Sequence, residues 1–298
     1  MTKLRAYPLF FLLGIAAFVI DWRPLLDTFA LALRDDQYAH ILLIVPVGAA
    51  LMFLDRGSLG RTAEPGLSLG ITLLIAAALA GVYARWSTGL PHDVQLSLSM
   101  LALVTWWIAA FVFCFGLRAF RRLLFPLCFL YWLVPFPDFI LSRIVNWLQQ
   151  GSAAVAQLLF TVAGVPVAQD GVVLSIPGLT VEVAKECSSI RSSLMLVVIS
   201  MVLAHLYLRS IWRKMVVVLA AIALSIAKNG FRIFVISVLG TRVDPGFLHG
   251  NLHRHGGPLF LLLALLVLLS LLWLLSRNDR SSEPSFNQAP NPRLASNR

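Results

Sequence analysis

Apolar runs separated by short charged connections set the pattern of this chain. Eight of them approach or reach the roughly 17–25 residues that a bilayer crossing requires. They are Leu4–Ile20, Ala39–Leu54, Leu67–Tyr83, Leu98–Phe115, Leu123–Phe136, Ser188–Leu208, Lys214–Leu239 and Gly257–Ser276. The second and fifth are the shortest, and Pro126 falls near the start of the fifth, where a helix tolerates it. Between the fifth and sixth runs the pattern changes. Asp138–Ala163 keeps apolar residues at helical spacing but interrupts them with Arg143, Asn146, Gln149 and Gln150. That predicts an amphipathic helix at the interface or against the bundle. Gly164-Val165-Pro166 ends it. Val172–Ile176 and Leu179–Val183, divided by Pro177-Gly178, then predict a small β-hairpin. The residues from Asn278 to Arg298 are rich in Ser, Asn, Pro and Arg and read as a disordered tail. The expected fold is therefore an all-α polytopic membrane protein of about eight transmembrane helices. A single transmembrane domain covers residues 1–277, with an insert at 137–186 before the sixth span.

Composition supports that reading. Of 298 residues, 59% are hydrophobic and 13% charged, about half the charged fraction of a soluble domain. A soluble enzyme would lack the polar surface to cover itself. The net charge of +10 would suggest nucleic acid only if the cations shared a soluble face. They lie instead between apolar runs, as topology determinants and contacts for membrane lipids. Placing the N-terminus inside assigns to that side Lys3, Arg5, Arg56, Arg61, Arg118, Arg121, Arg122, Arg209, Arg213, Lys214, Arg277, Arg280, Arg293 and Arg298. The inside acids are only Asp55, Glu64, Asp279 and Glu283. Eight spans with both termini inside give this distribution, and the insert then lies outside. The first run lacks a small-residue cleavage site, so it is expected to remain as a span.

Chemistry concentrates on that outer side. Cys114 and Cys128 sit in apolar runs and are expected to be small buried hydrophobes. Cys187 sits among Glu182, Lys185, Glu186, Ser188, Ser189 and Arg191, at the start of the sixth span. The free N–H groups and positive dipole end of a helix N-terminus favour a thiolate there. A thiol beside helix-capping serines is the plainer alternative. In the seventh span, Lys214 to Arg232 rises roughly 27 Å at about 1.5 Å per residue, which brings Arg232 to the same outer layer. Apolar sequence continues past Arg232, so a lipid-anchoring role fits it poorly. His249, His253 and His255 precede the last span. Zinc is one reading of three neighbouring histidines, although no carboxylate set matches them. Nucleophilic catalysis with the cysteine is the other.

These features, in order, resemble the exosortase/archaeosortase membrane proteins. The matching stretches are Gln37-Tyr38-Ala39-His40 with Val45-Pro46, and Gly164-Val165-Pro166-Val167. They continue with Glu182-Val183-Ala184 leading into Cys187-Ser188-Ser189-Ile190-Arg191, and with Asn229-Gly230-Phe231-Arg232-Ile233. A His-x-x-x-Gly opens the last span. The resemblance implies a thiol protease or transpeptidase of the bacterial plasma membrane, with its site outside. It implies Cys187 as nucleophile, Arg232 as the arginine and His253, four residues before Gly257, as the histidine; His255 is the alternative. Ser188, Ser189, Asn229 and Arg191 would be supporting residues. Ser189 departs from the glycine that the family often carries there. The implied partners are exported proteins bearing a Pro-Glu-Pro-like motif, an apolar helix and a basic tail. No cofactor, metal or nucleic acid is implied. A transporter without covalent chemistry would place ionisable groups near the span centres, and these are nearly empty. A non-catalytic assembly protein remains the other alternative.

Overall fold

The computed structural model describes residues 3–55, 66–183, 190–248 and 256–280. Helices dominate it: α1 (Lys3–Ile20), α2 (Trp22–Arg34), α3 (Ile41–Asp55), α4 (Leu67–Trp86), α5 (His92–Arg122), α6 (Leu124–Phe129), α7 (Asp138–Val162), α8 (Ile190–Tyr207), α9 (Ile211–Arg242) and α10 (Gly257–Arg280). Six of the described helical segments are long and apolar enough to cross a membrane. Two bent pairs raise the number to eight if each counts as one span. The chain is an all-α polytopic membrane protein with one small sheet.

Two compact units divide it, residues 1–146 and 147–298. In the first, α4 and α5 form an antiparallel pair on which α1 packs. The 71° bend between α1 and α2 falls at Asp21. Arg85, near the end of α4, fastens that bend by donating to Ile20 O at 3.1 Å and to Asp21 Oδ1 at 2.7 Å. The connection Asp21–Asp35, which hydropathy alone left without an element, thus contains a helix with a buried stripe of Leu25, Thr28 and Ala32.

The run Leu123–Phe136 is not one helix. It consists of the six-residue α6, a 3-10 turn over Leu130–Leu133 and an extended Val134–Pro137, and α7 leaves at 97°. Prolines at 135 and 137 explain the break, because neither can donate a helical hydrogen bond. The extended segment is held from three sides. Ser97 Oγ donates to Pro135 O (2.7 Å), Tyr38 Oη donates to Phe136 O (3.0 Å), and Asp93 Oδ2 accepts from the backbone N of Asp138 (2.8 Å).

In the second unit the expected hairpin is part of a three-stranded antiparallel sheet. Its strands are β1 (Ala168–Asp170), β2 (Val173–Ile176) and β3 (Leu179–Glu182), in that spatial order. The turn at Pro177-Gly178 uses a positive φ of 81° at Gly178, which a glycine adopts without strain. Helix α9 serves two cores. Val217 and Ala221, in its first half, pack with Leu196 and Ala204 of α8 and Ala264, Leu268 and Leu272 of α10. Ile233, in its second half, packs with Ala153, Ala156 and Phe160 of α7 and with Leu174, Ile176 and Val183 around the sheet. At 32 residues, α9 is about 48 Å long and exceeds a bilayer core. The apolar sequence beyond Arg232 therefore covers α7 and the sheet. That is the physical reason it continues past a charge.

Candidate functional site

The polar centre of the second unit forms where α7, α8 and α9 meet. The α7–α9 crossing depends on Gly230. A Cβ there would lie 2.6 Å from Val155 Cβ and Cγ1 and 2.8 Å from Ser152 O. Small residues permit such backbone approach between membrane helices. The approach brings Asn229 Nδ2 within 3.0 Å of Ser152 Oγ, which itself donates to Leu148 O at 2.7 Å. One position earlier, the buried ammonium of Lys228 donates to Ser192 Oγ on the first turn of α8. One turn back along α7, Gln149 Nε2 donates to Val183 O at 2.6 Å. Val183 N in turn donates to Val172 O at 3.0 Å.

The described chain stops at Val183 and resumes at Ile190. Both flanking positions are buried and fastened, the first by Gln149 and Val172, the second through Ser192 and Lys228. Two polar atoms of this layer, Asn229 Oδ1 and Ser193 Oγ, are buried without a hydrogen-bond partner among the described residues. A buried, unpaired amide oxygen is costly. Arg232 lies one turn above Lys228 on α9 and is half-buried. Phe231, beside it, meets Phe260 of α10 edge-on at 6.1 Å between ring centres. That contact brings the start of α10 to the level of Arg232. An apolar groove of about 210 Å³ runs between α9 and α10, with Lys228, Phe231 and Phe260 along its wall.

The sequence candidates are distributed as follows. Arg232 and Asn229 belong to the layer, and Arg191 is exposed on the first turn of α8. Cys187, Ser188, Ser189, His253 and His255 lie outside the described residues, as does the tail from 281 onward. Among the described residues no group of His, Cys, Asp and Glu could hold a metal. Sequence reasoning missed Lys228, Gln149, Ser152 and Ser192. Lys228 carried the clearest signal, an ionisable residue inside an apolar span. Gln149 and Ser152 are three apart on one helical face, but they read as interruptions of an amphipathic pattern. The signature Gln37-Tyr38-Ala39-His40 lies in the first unit, where both ring nitrogens of His40 are buried without a hydrogen-bond partner among the described residues. Tyr38 holds Phe136 O, and His40 meets Trp132 edge-on at 5.9 Å.

A family profile described as transmembrane exosortase matches residues 30–270. No curated protein and no solved structure matches the chain.

Proposed function

Since the chain belongs to the transmembrane exosortase family, whose members are membrane sorting transpeptidases, we propose that it cleaves the C-terminal sorting signal of exported proteins through a thioester on Cys187. The observation that carries this reading is the polar layer. Through Gln149 and Lys228 it fastens Val183 and the first turn of α8, the described positions that flank the segment bearing Cys187, with Asn229 next along α9. In the sequence Cys187 is three positions before Ile190, and His253 is three positions before Gly256.

The Cys187 thiolate attacks the scissile carbonyl carbon, and His253 receives the thiol proton. The guanidinium of Arg232 offers planar N–H donors to the tetrahedral oxyanion. As the C–N bond breaks, His253 returns the proton to the leaving amine, and the acyl group remains as a thioester. An amine, hydroxyl or water then attacks the thioester and the thiol is regenerated. The unpaired Asn229 Oδ1 is placed to accept a hydrogen bond from the reacting segment or from the substrate backbone. The mostly apolar face between α9 and α10, with Lys228 and Phe231 on its wall, offers a contact for one side of the sorting signal's apolar helix. The cation distribution supports an extracytoplasmic site in a bacterial plasma membrane, with both termini inside.

The test is cleavage of a tagged sorting-signal substrate in cells carrying Cys187→Ala, Arg232→Lys or His253→Ala. Loss of cleavage with normal protein abundance is expected in each. Normal cleavage by Cys187→Ala would falsify the nucleophile. Retention in His253→Ala with loss in His255→Ala would move the base to His255.

A further inference from the structure

In the first unit, two cavities share the residues Ile20 and Arg85. The larger, about 500 Å³, has polar and apolar lining in equal measure. Its lining includes Arg23 and Asp27 of α2, Arg85 of α4, and His92, Gln95 and Ser99 of α5. The smaller, about 210 Å³, runs between α1, α4 and α5. Ala17, Ala77, Ala78, Gly81 and Ala102 leave it open, and Trp106 closes one side. A chamber with several charged and polar walls that adjoins an apolar slot at Ile20 and Arg85 has the shape of an amphiphile's two halves. The bend at Asp21 creates it, since α2 departs from α1 at 71° and leaves the space above the α4–α5 pair open. The chamber lies at the end of α5 opposite Arg118, Arg121 and Arg122.

We propose that these cavities form a binding site for one glycerophospholipid whose headgroup carries both a phosphodiester and a primary ammonium, the phosphatidylethanolamine class. The charges select that headgroup. Arg23 and Arg85 supply two guanidinium forks, the side chain best matched to phosphate oxygens. His92 and Gln95 add donors. Asp27, one helical turn from Arg23, lines the chamber, and Asp21, which lines the slot, neutralises Arg85 from 2.7 Å. The fixed charge around the chamber therefore balances. A balanced wall favours a zwitterion over an anionic lipid. The primary ammonium can donate to Asp27, which a quaternary ammonium cannot do. The alanine-lined slot takes one acyl chain, and its burial removes apolar surface from water. This site is independent of the catalytic reading and requires no chemistry on the lipid.

The purified full-length protein, stripped of lipid in detergent, is titrated separately with short-chain phosphatidylethanolamine, phosphatidylglycerol, phosphatidylcholine and inorganic phosphate. Native mass spectrometry counts the bound copies. One copy of phosphatidylethanolamine is expected, held at least about five-fold more tightly than the other two lipids. Millimolar phosphate should not displace it. Arg85 also fastens the α1–α2 bend, so the test rests on exposed positions instead. Arg23→Gln should weaken binding about ten-fold, and Ala78→Leu should block the slot to a similar degree. Asp27→Asn should remove the preference for phosphatidylethanolamine over phosphatidylglycerol. Equal affinity for all three lipids, displacement by phosphate, or unchanged binding in both Arg23→Gln and Ala78→Leu would overturn the proposal. A photoactivatable phosphatidylethanolamine supplies a second measurement. Its crosslinks should fall on residues 17–21 of α1, 77–85 of α4 or 102–106 of α5 in the parent and be lost in Ala78→Leu; crosslinks elsewhere overturn the site.

Discussion

Gly230→Ala adds a single methyl group at the tightest helix crossing of the second unit. The new Cβ would sit 2.6 Å from two carbons of Val155 and 2.8 Å from Ser152 O. Carbon atoms pack at about 3.5–4.0 Å, so α7 and α9 must separate by about 1 Å. Rotation of a side chain cannot relieve this, because the obstacles are a Cβ atom and a carbonyl. Overpacking of this kind costs about 1–3 kcal/mol. The same shift stretches the 3.0 Å contact of Asn229 Nδ2 with Ser152 Oγ toward 4 Å, beyond hydrogen-bond range. An interhelical hydrogen bond in a membrane contributes about 0.6–1.7 kcal/mol. The gain from replacing a helical glycine by alanine is about 0.5–1 kcal/mol. A net loss of roughly 1–4 kcal/mol follows. Reversible unfolding of the purified protein in mixed micelles measures it. Gly14→Ala in α1 is the control, since a Cβ there meets nothing within 4 Å and should leave stability unchanged or slightly raised. Parental stability in Gly230→Ala, or an equal loss in Gly14→Ala, would refute the close crossing.

Other perturbations separate structure from chemistry. Gln149→Leu removes the donor to Val183 O and leaves a buried carbonyl unpaired; a loss of about 1–3 kcal/mol in unfolding is expected, with cleavage reduced further. Lys228→Met keeps the bulk but removes the ammonium that meets Ser192. Stability should change by less than about 1 kcal/mol, because a buried charge is itself costly. Cleavage of tagged substrate should nevertheless fall about ten-fold, and Ser192→Ala should show a similar fall. A proportionate loss of both properties would make Lys228 merely structural. Gly178→Val forces a β-branched residue to a φ of 81° and should cost about 1–2 kcal/mol or more. Faster amide exchange in Val173–Ile176, with α10 unaffected, is the expected signature.

Much of this protein was legible in local sequence because its largest features are local. The length of an apolar run decides whether a segment crosses a bilayer, and α4, α8, α9 and α10 begin and end within a few residues of the hydropathy limits. Pro177-Gly178 specified its turn through the two residues' own backbone preferences. The sequence also singled out Arg232, a charge with apolar sequence beyond it, while Asn229 entered through the family resemblance.

What tertiary structure alone decided depends on distant partners. Helix α2 forms where hydropathy sees only a connection, and Arg85, 64 residues from Asp21, fastens its bend. Strand β1 is three residues long and gains its identity by pairing with β2. The fifth apolar run breaks at its prolines because Tyr38, Ser97 and Asp93 are there to satisfy the extended backbone. Above all, the polar layer joins Gln149 to Val183, Ser152 to Asn229 and Ser192 to Lys228, across separations of 34, 77 and 36 residues. No periodicity encodes such pairs. A serine or glutamine in an apolar helix looks the same in sequence whether it bonds its own backbone or a helix far along the chain, and only the close crossing at Gly230 distinguishes the two.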